Sequence, residues 1–143
     1  MDSLINVGII GFGLSGRYFF SPFFEIHSNF QLKAIVSSQQ KLVKTEYPNV
    51  NIYEKPDDLF ENTEIDLIVV ASPNSTHVAY TRKALKAGKH VIVEKPFTIT
   101  SKEAEELIEL ARQNGKVLAP FQNRRWDGDF LTLKKVIEDN RLG

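Results

Sequence analysis

Two short runs in the 143-residue chain carry residue types that could do chemistry. The first is Gly11-Phe12-Gly13-Leu14-Ser15-Gly16, a G-x-G-x-x-G run placed directly after the apolar stretch Ile5–Ile10. In that context each glycine has a physical task. Gly11 permits a tight turn, Gly13 lets the backbone approach a pyrophosphate, and Gly16 lets the next helix pack close to the strand. The loop, including Phe12, Leu14 and Ser15, would turn free N–H groups and the positive end of a helix dipole towards phosphates. A tight turn without a ligand is the plainer alternative.

The second run is Glu94-Lys95-Pro96, which follows the apolar stretch His90–Val93. A lysine there could donate a proton to a carbonyl oxygen or hold a substrate hydroxyl. To act as a base at neutral pH its pKa would have to fall from ~10.4 towards ~7–8. Pro96 restricts Lys95 to extended backbone, which fixes its direction. On its own, a lysine after a strand is most often solvated surface.

The glycine-loop fingerprint usually includes an acidic residue ~20 positions on, which binds the ribose 2′-hydroxyl of NAD. Here the second apolar run ends at Val36 and continues Ser37-Ser38-Gln39-Gln40, with no Asp or Glu between Glu25 and Glu46. A carboxylate would repel a 2′-phosphate, whereas a hydroxyl pair accepts it. The reading is therefore NAD(P), with NADP slightly preferred over NAD. Ser37 and Ser38 read equally well as helix-capping residues.

These runs need elements to position them. Short continuous apolar stretches, suited to strands buried on both faces, lie at Ile5–Ile10, Phe30–Val36, Asn51–Tyr53, Asp66–Val70, His90–Val93 and Lys116–Ala119. Amphipathic stretches between and after them predict helices over Leu14–Ile26, Gln39–Glu46, Pro56–Phe60, Thr76–Ala87, Lys102–Gln113 and Gly128–Asn140. The alternation predicts an α/β fold, a doubly wound parallel sheet in three α/β/α layers. Gly88 reads as a C′ glycine, Thr100 with Glu103 as a capping box, and Asn114-Gly115 as a helix-ending turn. Gly143 reads as a further helix stop.

Composition narrows the function classes. Lys plus Arg and Asp plus Glu each number 18, so the basic excess of a nucleic-acid or anionic-membrane binder is missing. There are no cysteines, which excludes a disulfide scaffold, a thiolate zinc site and a Cys nucleophile. No stretch reaches the ~20 apolar residues of a membrane span, and Met1-Asp2-Ser3 lacks the basic start of a signal peptide. A cytoplasmic protein with a small-molecule partner is expected. No His/carboxylate set has metal-ligand spacing, so no metal is expected.

Taken in order, Gly11 to Gly16, Ala71-Ser72-Pro73-Asn74 with His77, Ala87-Gly88-Lys89-His90-Val91, Glu94-Lys95-Pro96-Phe97 and Gln122 to Phe130 resemble the N-terminal part of Gfo/Idh/MocA-type oxidoreductases. The resemblance implies a Rossmann domain followed by a second α/β domain, and hydride transfer between NAD(P) and a sugar, cyclitol or related hydroxy compound. It implies that Lys95 is the catalytic lysine, near the nicotinamide and the reacting oxygen, and that Glu94 and Pro96 share that turn, with a cis Lys95–Pro96 bond. It places Ser72, Pro73, Asn74 and His77 in the loop over the pyrophosphate and nicotinamide ribose. Asn123, Arg124, Arg125 and Trp126 would lie near the nicotinamide.

Plainer readings stand beside these. His77 could pack on its own loop, and Arg124 and Arg125 could be a solvated pair rather than, with Trp126, a stacking or anion-binding group. Nothing matches the Asp and His that the family's second domain supplies. Residues 1–120 therefore read as the nucleotide domain and 121–143 as a crossover segment and helix leading to a substrate domain missing from the chain. Such a fragment would bind cofactor with little turnover, and the whole protein would be a homo-oligomer. Part of the apolar set of the last helix would face the sheet and part the missing domain. A non-catalytic dinucleotide sensor or transcriptional co-regulator is the alternative function, and a fold that takes another nucleotide ligand is a third.

Overall fold

A computed structural model describes residues 4–141. The readings on Met1-Asp2-Ser3 and Gly143 lie outside the described residues. Six strands, β1 (Ile5–Ile10), β2 (Phe30–Val36), β3 (Asn51–Tyr53), β4 (Leu67–Val70), β5 (His90–Val93) and β6 (Leu118–Pro120), form one sheet in the order β3-β2-β1-β4-β5-β6. Every adjacent pair is parallel. This is the doubly wound order, and it reverses direction between β1 and β4.

The continuous apolar runs explain the sheet. Side chains alternate across a strand, so a run without polar gaps must be covered on both faces. In β4, Ile68 and Val70 enter one core with Leu59, Leu85 and Leu107, while Leu67 and Val69 enter a second core with Phe20, Phe24 and Val43. Helices α3 (Pro56–Glu61), α4 (His77–Lys86) and α5 (Ser101–Gln113) cover the first face, and α1 (Ser21–Ile26) and α2 (Gln40–Glu46) the second. Thr100 and Glu103 form the expected capping box at α5. Gly88 and Gly115 take positive φ at the ends of α4 and α5.

The structure departs from the expected elements in four places. The helix expected over Leu14–Ile26 passes through a π-helical turn, Gly16–Phe20, before α1. Pro22 has no N–H for the carbonyl one turn back, and the Ser21 hydroxyl donates to the Gly16 carbonyl at 2.7 Å. A 3₁₀ turn, Asn74–Thr76, precedes α4. Strand β6 begins two residues late, because the Lys116 N–H closes the end of α5 on Ala111 O at 2.9 Å and the Val117 N–H goes to His90 Nδ1 at 3.0 Å.

The fourth departure is α6 (Gly128–Glu138), which buries no side chain. Phe130, Leu131, Leu133 and Ile137 are 44–58% exposed, so the expectation that part of this set faces the sheet is corrected. The chain leaves the sheet edge through a 3₁₀ turn, Asn123–Trp126, and an extended Asp127, which carries α6 past the sheet; its main contact is that turn.

Candidate functional site

Three loops leave the carboxyl ends of β1, β4 and β5, where open α/β sheets bind ligands. The ladder continues into each of them. Gly11 N–H donates to Val36 O, Ala71 N–H to Ile10 O and Glu94 N–H to Val70 O, all at 2.9 Å. The loops therefore start in fixed register.

The three glycines meet different surroundings. Gly11 has φ +103°, and a Cβ there would sit 2.5 Å from the Ala71 carbonyl oxygen. A Cβ at Gly16 would collide with the Gly11 carbonyl. A Cβ at Gly13 would meet nothing within 4 Å, so the backbone there borders open space. That space is a cavity of about 560 Å³ lined by Gly11, Phe12 and Gly13, by Ser37 and Ser38 after β2, and by Ser72 and Pro73 after β4. Leu14 is exposed and Ser15 is half-buried.

The two serines after β2 are not equivalent. Ser37 is buried, and its hydroxyl accepts the Gln39 N–H at 2.9 Å. Ser38 is exposed. Sequence reasoning missed Gln39, Glu54, Pro56, Thr76 and Tyr80, which also line this cavity. The carboxyl-end rule applied to β3 finds Glu54, and helical spacing from Thr76 finds Tyr80. Glu54 Oε1 accepts Gln40 Nε2 at 3.0 Å. Arg17, next to Gly16, is spent on Glu46, whose hydrogen bond raises the guanidinium above its usual value.

The Glu-Lys-Pro turn lies beside the glycine loop. Glu94 is buried, and its carboxylate accepts the Ser15 hydroxyl and, at 2.8 Å, the Lys95 N–H. Lys95 is exposed, and the Lys95–Pro96 bond is cis. His77 is 1% exposed, with Nδ1 2.8 Å from Pro96 O and Nε2 2.9 Å from Ser72 O. Its ring lies between the β4 and β5 loops, with each nitrogen facing a protein carbonyl. Asn74 is exposed in the 3₁₀ turn, and Ser72 Oγ meets Thr76 Oγ1 at 2.6 Å.

Asn123, Arg125 and Trp126 are not brought to the glycine-loop cavity. With Phe121 they line a second open cavity of about 590 Å³ beyond β6. Trp126 is 77% exposed. Arg124 pairs with Asp127 at 2.8 Å, and no arginine stacks on Trp126 among the described residues, so the expected stacking is corrected. Among those residues no group of His, Asp and Glu could hold a metal ion, and no helix is long and apolar enough to cross a membrane.

The strand order and the glycine loop at the switch point define a Rossmann-type nucleotide-binding domain. The family model for the oxidoreductase family with NAD-binding Rossmann fold matches residues 5–122, and the chain belongs to that family, Gfo/Idh/MocA. It is 45% identical over 143 residues to the uncharacterized oxidoreductase YdgJ of Escherichia coli K12, covering 100% of this chain and 41% of that one. It is 38% identical over 138 residues to the scyllo-inositol 2-dehydrogenase (NADP(+)) IolW of Bacillus subtilis 168, covering 96% and 38%. The crystal structure of an NAD-binding protein from Listeria innocua superposes with a TM-score of 0.86 at 29% identity, covering 97% of this chain and 41% of that one. The chain thus spans about two fifths of the length of the curated relatives it matches.

Proposed function

We propose that this chain is the cofactor-binding part of an NAD(P)-dependent dehydrogenase or reductase acting on a sugar, cyclitol or related hydroxy compound. The observation that carries it is the open space at Gly13, inside a cavity that runs from the glycine loop to Ser38. A pyrophosphate fits against bare backbone there, at the positive end of the helix that follows. The bound nicotinamide supplies hydride chemistry. The chain's own residues hold and orient the cofactor, and Lys95 holds a proton for the reacting oxygen. The inositol substrate of the Bacillus relative supports the hydroxy-compound class.

NADP is preferred slightly over NAD. Support comes from the exposed Ser38 hydroxyl, the absence of a carboxylate between Glu25 and Glu46, and the NADP(+) of the same relative. Residues 1–120 form the dinucleotide domain and 121–143 lead to a substrate domain, in line with an α6 that buries nothing. The whole protein is a cytoplasmic homo-oligomer.

Calorimetry of the chain with NAD(H) and NADP(H) tests the reading. Heat of binding is expected, together with ~1.4 kcal/mol of added stability at ten times the dissociation constant. No heat and no protection against unfolding at millimolar dinucleotide would remove it.

A further inference from the structure

We propose that Glu94 is a positioning residue that locks the Lys95 turn to the glycine loop, so that a change at Ser15 reaches the Lys95 main chain. The importance of that lock for catalysis rests on the function proposed above; the lock itself rests on the hydrogen bonds.

Glu94 is 9% exposed, and each of its carboxylate oxygens has one protein donor. One accepts the Ser15 hydroxyl and the other the Lys95 N–H at 2.8 Å. Ser15 makes no side-chain cap to its own helix, so its hydroxyl is free for this task. On the far side of Lys95, the Pro96 carbonyl lies 2.8 Å from His77 Nδ1. The lysine backbone is thus held from the β1 loop on one side and from the β4 loop on the other, while its ammonium stays in solvent.

A buried carboxylate cannot cheaply lose a donor, because the stranded oxygen then lacks both water and protein. Removing the Ser15 hydroxyl drives the Glu94 carboxylate towards water and takes it off the Lys95 N–H. A glutamine at position 94 can keep both contacts. Its carbonyl oxygen accepts from Lys95 N–H and its amide donates to the Ser15 oxygen.

Amide hydrogen exchange on the ¹⁵N-labelled chain reads this directly. In Ser15→Ala and Glu94→Ala the Lys95 amide should exchange about 10- to 150-fold faster, the loss expected for a bond to a charged acceptor. Glu94→Gln should restore protection. The Val91 amide, bonded to Val117 O at 2.9 Å, should not change. Unchanged Lys95 exchange in both alanine variants overturns the lock, and so does equal acceleration at Val91, which signals general loosening. If the wild-type chain binds no NADH or NADPH while Lys95 still responds to Ser15→Ala, the lock stands and the proposed function falls.

Discussion

Gly13→Ala separates ligand recognition from folding. The new methyl meets no heavy atom within 4 Å and projects into exposed space. Stability should change by no more than about 0.5 kcal/mol, or roughly 2 °C in the unfolding midpoint. The same methyl occupies the surface that a pyrophosphate reaches in the function proposed above. Losing one backbone hydrogen bond to a charged oxygen costs about 1.5–3 kcal/mol, which is about 10- to 150-fold in affinity. Gly11→Ala should behave in the opposite way. Its φ of +103° and the Ala71 carbonyl 2.5 Å from the added carbon put strain into the fold itself. About 1–2 kcal/mol of left-handed strain plus the clash should lower the midpoint by more than about 4 °C. The assay is NADPH fluorescence titration beside thermal unfolding for each variant. A Gly13→Ala chain that binds NADPH as the wild type does would refute the approach of phosphate to this backbone.

Two further outcomes are expected. Ser38→Asp should weaken NADPH relative to NADH by about tenfold, the size of one moderate charge repulsion, as read from paired dissociation constants; an unchanged ratio would place the 2′-phosphate away from Ser38. Thr100→Ala should cost about 1 kcal/mol at pH 7, measured by urea unfolding, through loss of the α5 cap. Hydrogen bonds from Thr100 hold Glu103 below its ordinary 4.5. A depressed carboxylate stabilises the fold above its unfolded pKa and stops doing so as pH falls through the folded value. The wild-type advantage over Thr100→Ala should therefore shrink below about pH 4.5, and a constant difference down to pH 3 would exclude Glu103 from the effect.

Much of the fold was legible because burial on both faces leaves unbroken apolar runs. The carboxyl edges of β1, β2, β3 and β5 fall where those runs meet Gly11, Ser37, Glu54 and Glu94. What escaped depends on partners distant in sequence. The start of β6 is set by His90 and Ala111, which claim the N–H groups of Val117 and Lys116. The turn at Gly11 was legible because its φ of +103° is a local backbone demand that glycine meets. The difference between Ser37 and Ser38 could not, since the end of β2 turns one serine inward and leaves its neighbour in solvent. Glu54 joined the cavity only once β3 was known to lie beside β2. His77 read as either a loop-packing or a ligand-loop residue; its two carbonyl contacts show how it joins the loops.

The π-helical turn at Gly16–Phe20 has a consequence for phase. One extra residue in a turn rotates everything after it around the helix axis. Gly16 must face the Gly11 carbonyl to close the glycine loop, while Phe20 and Phe24 must face the sheet. The wide turn lets both demands hold on one helix, as a spacer washer sets the angle between two threaded parts. Forcing Gly16–Phe20 into regular α hydrogen bonding at the same length would instead rotate Phe20 and Phe24 away from the sheet. The irregularity beside the glycine loop is therefore what aligns closure of that loop with packing of the core.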